Sequence, residues 1–164
     1  MTVPGARFRI EWLIEAGEWC DIPVDAILAD LAAELERREP GAHGSAVVAL
    51  ADDAMVHDLN RRFRGVDRAT DVLSFPSGDG AGEAAHLGDV VLSSETLRRE
   101  AGAEGKPVSD HFAHLALHGL LHLFGYDHQG DAEAARMEAM ESEILRELGI
   151  PEPYGEGRAA LTNQ

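Results

Sequence analysis

The chain has 164 residues, the size of one ordinary domain, with 45% hydrophobic and 27% charged side chains, the balance of a soluble globular protein. Disorder, collagen-like repeats and coiled coil are excluded as descriptions of the whole. Fourteen basic against thirty acidic residues leave a formal charge of -16, which opposes unspecific binding to nucleic acid or to an anionic membrane.

Residues 7–14 (RFRIEWLI) alternate in part and carry β-favouring side chains, which predicts a strand. Pro23 opens a helix in which Ile27, Leu28, Leu31 and Leu35 recur at helical spacing, and Pro40-Gly41 closes it. Residues 45–51 (SAVVALA) read as a short buried strand. Asp52-Asp53 start a helix over 53–63, with Met55, Leu59 and Phe63 on one face. A strand over 70–75 (TDVLSF) stops at Pro76, a Gly-rich acidic hairpin loop follows over 77–85, and 87–92 (LGDVVL) is the next strand. Helices are expected over 94–103, 108–124 and 132–148. In the last of these Met137, Met140, Ile144 and Leu148 form a core stripe, and Gly149 and Pro151 end it.

This order predicts a small α/β domain with about four strands covered by helices, spanning residues 1–154, and a frayed tail over 155–164. The lone Cys20 allows no internal disulfide, which fits a reducing compartment; next to Trp19 it reads as a core residue. There is no basic start followed by an apolar run, so no signal peptide is expected, and no stretch approaches the ~18 apolar residues of a membrane span. A cytoplasmic protein is the expectation.

Five of the eight histidines fall within residues 111–128. On a helix, His118 and His122 are about 40° apart in azimuth and about 6 Å apart along the axis, so both imidazoles leave from one face. That is the geometry for binding one zinc ion. Gly125 can end the helix in the left-handed conformation and let His128 return as a third ligand. The surrounding Leu117, Leu120, Leu121, Leu123 and Phe124 make an apolar wall in which three imidazoles need something to satisfy them. One zinc per chain is the first choice, with nickel and copper as alternatives. The spacing H-x-x-x-H-x-x-G-x-x-H is that of the metzincin proteases, but the position of their general base is Gly119 here. A peptidase therefore lacks its base, while metal chemistry is retained.

The segment HGLLHLFGYDH resembles the signature of the YbeY-type endoribonucleases. Further resemblances lie in Leu59-Asn60, Phe63-Arg64-Gly65, residues 70–76 (TDVLSFP), residues 87–91 (LGDVV) and the terminal Leu148-Gly149 with Pro153-Tyr154. The resemblance covers residues 45–154 and implies a mixed four-stranded sheet with about five helices and a zincin-like metal helix. It implies a metal-dependent endoribonuclease acting on single-stranded RNA, in 16S rRNA 3′-end maturation and ribosome quality control. Small-subunit rRNA and assembly proteins are the implied partners, and no membrane. His118, His122 and His128 correspond to the family's zinc ligands and Arg64 to its functional arginine.

Residues 61–68 carry four arginines and one acid, the only such patch in the chain. From charge alone it reads equally as a solvated helix end or as a phosphate-binding patch, since arginine pairs with phosphate bidentately. With the resemblance, Arg64 is the catalytic candidate, and Arg61, Arg62 and Arg68 are substrate-binding candidates. His114, one turn before His118, lines the cleft or serves structure, and His111 is expected exposed near the helix start. Asp127 either orients an imidazole or caps the turn. Asp71 is a second candidate beside the metal, read together with Ser74 as lining a cleft from one strand face. Two rivals remain: a metal-dependent peptidase or other hydrolase, and a ribosome-assembly factor with a structural metal. An open fourth coordination position favours catalysis, a fourth protein ligand favours structure.

Overall fold

The apolar runs at 45–51 and 87–92 carry too little charge for a solvated face, and strands of that kind belong inside a sheet covered on both sides. In the computed structural model, which describes residues 2–3, 7–40, 42–62, 72–77, 86–126 and 130–151, these runs form two of the three inner strands. The elements in chain order are β1 (Thr2–Val3), β2 (Phe8–Ile14), α1 (Val24–Arg38), β3 (Gly44–Ala51), α2 (Asp53–Arg62), β4 (Val72–Pro76) and β5 (His86–Ser93). Helices α3 (Ser94–Glu104), α4 (Val108–Leu123) and α5 (Asp131–Glu147) complete them. The strand order is β1-β2-β3-β5-β4. Strand β3 is parallel to both β2 and β5, whereas β1 and β4 run antiparallel at the two edges. The sheet is therefore mixed and the fold α+β, with five helices among the described residues. Its fifth strand, β1, was not legible: it consists of Thr2 opposite Glu11 and Val3 opposite Ile10, too short to show a period of two. The hairpin loop at 78–85 and the tail from 152 lie outside the described residues.

Alternation along the strands divides the interior. Val72, Val90 and Leu92 face the larger core, whereas Leu73 and Val91 face a smaller one with Val56 of α2. The larger core is filled by Leu28, Leu31 and Leu35 of α1, Phe112, Leu117, Leu120 and Leu121 of α4, and Met137, Ile144 and Leu145 of α5. Helix α4 is buried around most of its circumference because β4 and β5, α1, α3 and α5 all pack against it. Each fully buried leucine there contributes roughly 1.5–3 kcal/mol. The apolar side chains thus fix the pose of α4, and its histidines point where that pose sends them.

Ion pairs also tie the flanking elements together. Arg38 reaches from α1 to Glu143 on α5 at 3.1 Å, and Arg98 of α3 grips Asp21 through two nitrogens at 2.6 and 2.8 Å. Cys20 is exposed, contrary to the core reading. The indole of its neighbour Trp19 goes inside instead, packing edge-on against Phe112 with 6.0 Å between ring centroids. No helix among the described residues is long and apolar enough to cross a membrane.

Candidate functional site

Histidines four apart on α4 do share a face, and their nitrogens converge. The Nε2 atoms of His118 and His122 stand 3.2 Å apart. Each ring is held from behind through Nδ1. His122 Nδ1 donates to the backbone carbonyl of Tyr126 at 3.0 Å, and His118 Nδ1 donates to Oε2 of Glu141 at 2.6 Å. A carbonyl or carboxylate oxygen can only accept, so both Nδ1 atoms carry a proton, and in the neutral rings both Nε2 atoms present lone pairs. Two lone pairs facing each other at that distance are unfavourable unless a proton or a cation lies between them. Two nitrogens bound at ~2.0–2.1 Å to one tetrahedral metal stand about 3.3–3.4 Å apart, so the pair fits such an ion.

The partner of His122 comes from the way α4 ends. Gly125, at φ 95°, donates its N–H to the His122 carbonyl, and Tyr126 N–H reaches back to Leu121 O at 3.1 Å. This pair of bonds is a Schellman motif, which needs a residue tolerant of positive φ at its turn. The turn directs the Tyr126 carbonyl at His122. The tyrosine side chain is tied down as well, its hydroxyl donating to Glu39 at 2.9 Å and its ring lying beneath Arg136.

Glu141 was not foreseen as a site residue. It is fully buried, on the face of α5 that carries Met137, Ile144 and Leu145. Burial pushes its carboxyl pKa up, but the facing His114 and His118 rings, with the charge they carry when protonated, outweigh this and hold it at about 2. The available signal was an acid inside an apolar helical stripe, a position where an unpartnered carboxylate costs several kcal/mol. His114 is drawn to the same residue, its Nε2 lying 3.7 Å from Glu141 Oε1. His111 is buried rather than exposed, with Nε2 2.9 Å from Glu100 of α3. It lies under α3, which packs along the start of α4.

Gly119 faces the sheet. A Cβ there would stand 2.6 Å from Val90 Cγ1 and 3.0 Å from Val72 Cγ2. Its carbonyl accepts the hydroxyl of Ser74 at 3.0 Å. The glycine thus serves close approach of α4 to β4 and β5, and this face has no room for a carboxylate side chain. Ser74 is buried under α4 on the strand face of Val72, so it does not line an open cleft; Asp71, read together with it, lies outside the described residues.

The sequence profile described as Endoribonuclease YbeY matches residues 23–149. The chain belongs to the YbeY endoribonuclease family. Curated relatives named Endoribonuclease YbeY include one from Methylocella silvestris, 44% identical over 93% of this chain and 89% of its own length. Another, from Bradyrhizobium sp., is 44% identical over 89% of this chain and 92% of its own length. One from Rhodopseudomonas palustris is 53% identical over 66% of this chain and 68% of its own length. The fold is shared with the solution structure of TM1509 from Thermotoga maritima, at a TM-score of 0.57 and 20% identity over 90% of this chain and 99% of that one.

Within this YbeY fold, Arg61 and Arg62 close α2 with exposed side chains, paired to Asp58 at 2.9 and 3.4 Å. Arg64, Arg68, Asp71, Asp127 and His128 lie outside the described residues. Among the described residues no group of three or more histidines, cysteines or carboxylates is arranged to hold a metal ion.

Proposed function

We propose that this YbeY-family chain is a zinc-dependent endoribonuclease of the cytoplasm. In this reading it cleaves single-stranded RNA in 16S rRNA 3′-end maturation and ribosome quality control, working with the small subunit and its assembly proteins. The observation that carries the metal reading is the pair of His118 and His122 Nε2 lone pairs 3.2 Å apart, each ring fixed from behind by an acceptor. His118, His122 and His128 would hold one ion. Zinc in such a site supplies Lewis acidity, polarising a phosphoryl oxygen or acidifying a water.

The chain's own residues supply the rest. Arg64 would pair with the oxygens of the scissile phosphate and keep it against the histidine face, with Arg61, Arg62 and Arg68 binding neighbouring phosphates. The -16 charge leaves this arginine patch as a local site and disfavours indiscriminate RNA binding. The peptidase alternative is disfavoured by Gly119, whose contact with Val90 and Val72 leaves no room for a general-base side chain.

The test offers the full chain, with and without chelator, an rRNA bearing a single-stranded 3′ extension and, separately, an unfolded protein. RNA cleavage abolished by chelator and in both His118→Ala and Arg64→Ala is the expected outcome. Cleavage persisting in both variants, or digestion of the protein in place of the RNA, overturns the reading.

A further inference from the structure

We propose that Glu141 of α5 is the positioning residue of His118: its carboxylate fixes the imidazole with the proton on Nδ1 and the lone pair of Nε2 turned toward His122, ready for a cation. The inference deepens the metal reading and rests on it. The two histidines are held by different means. His122 takes its acceptor from the main chain, the Tyr126 carbonyl placed by the Gly125 turn, which no side-chain substitution at 126 would remove. His118 lies mid-helix, with no turn beside it to offer a carbonyl, and its acceptor comes from another helix, Glu141 Oε2 at 2.6 Å.

The cost of placing Glu141 there argues that the carboxylate acts on a neighbour. It is fully buried and stands between Met137 and Leu145 on the core face of α5, where a leucine would bury apolar surface and carry no desolvation penalty. Buried ion pairs and charge-assisted bonds replaced by apolar side chains of similar volume commonly leave stability unchanged or raised. Holding the fold together is therefore a weak reason for this carboxylate. Orienting an imidazole is a strong one, since an outer hydrogen-bond acceptor fixes both the tautomer and the direction of a ligating ring. Its second oxygen, Oε1, faces His114 Nε2, one turn before His118, at 3.7 Å.

Two measurements on the full chain test this. The first, on metal-stripped wild type, reads the ring nitrogens by long-range ¹H–¹⁵N correlation at neutral pH. His118 is expected to carry its proton on Nδ1; the opposite tautomer overturns the proposal. The second compares zinc affinity, by competition with a chromophoric chelator, in wild type, Glu141→Gln and Glu141→Leu, with urea unfolding of each metal-free protein alongside. An affinity loss of about 10–100-fold is expected, larger for leucine, without a matching loss of metal-free stability. Wild-type affinity in Glu141→Leu overturns the proposal, as does an affinity loss fully accounted for by unfolding. If wild type itself bound no zinc, the metal reading would fail, and the tautomer of His118 would still decide the role of Glu141.

Discussion

Replacing Gly119 with alanine sets two effects of opposite sign against each other. In an open helix, alanine is favoured over glycine by about 1 kcal/mol. At this position the new Cβ stands 2.6 Å from Val90 Cγ1, 3.0 Å from Val72 Cγ2 and 3.2 Å from Ser74 Oγ. Carbon atoms pack at ~3.5–4.0 Å, so the helix must rise by about 1 Å or valine must leave its rotamer. Valine is stiff at χ1 and Val90 is fully buried, so relief through the side chain is poor. Overpacking of this kind costs about 1–3 kcal/mol. Raising α4 also strains the Ser74–Gly119 hydrogen bond, worth about 1 kcal/mol. The net expectation is a loss of about 1–3 kcal/mol, with a melting temperature lower by about 2–4 °C for each kcal/mol in a domain of this size. Gly102 is the internal control: it lies within α3, its added Cβ meets nothing within 4 Å, and Gly102→Ala should gain about 0.5–1 kcal/mol. Urea unfolding of both variants and wild type is the assay. A Gly119→Ala midpoint at or above wild type, moving with Gly102→Ala, would refute the close-approach argument.

Two further expectations concern charge. The two-pronged hydrogen bond from Arg98 holds the Asp21 carboxyl at about 2, below its ordinary 3.8. Because the folded value is depressed, what this contact contributes is complete above pH 3.8 and is lost as pH falls toward 2. An NMR titration of the Asp21 carboxyl should show the low midpoint and its return toward 3.8 in Arg98→Ala; an ordinary midpoint in wild type contradicts this. Arg61→Ala with Arg62→Ala removes only exposed ion pairs to Asp58, so stability should change by less than about 1 kcal/mol. RNA affinity should nevertheless fall, and its logarithmic salt slope should flatten by about 0.7 for each phosphate contact removed. An unchanged slope would leave these arginines as a solvated helix end.

Much of the fold was legible because its signals are local. The alternation at 7–14, the apolar runs at 45–51 and 87–92 and the 3.6-residue stripes of the helices each carry their own evidence, and the elements formed where those patterns lie. Cys20 misled because adjacent residues in an irregular segment point in opposite directions: Trp19 took the interior and left Cys20 outside. His111 misled because its exposure depends on α3, which packs over the start of α4 and supplies Glu100. The candidate site divides in the same way. The pairing of His118 with His122 follows from helical geometry, and the turn at Gly125 from the residue itself. Glu141 lies 23 residues from His118, on a helix whose azimuth toward α4 is set by packing, so no spacing rule connects the two. A carboxylate on the stripe of Met137, Ile144 and Leu148 was the trace it left.

In the proposed function, RNA cleavage depends on a metal ion held at the paired nitrogens of His118 and His122. The most direct test is cleavage of single-stranded RNA by the metal-stripped chain as zinc is added in measured equivalents. No cleavage is expected without metal, then a rise that saturates at one zinc per chain, and no rise in His118→Ala or His122→Ala. Full cleavage by the metal-free chain, or a rise that persists undiminished in those variants, would contradict it.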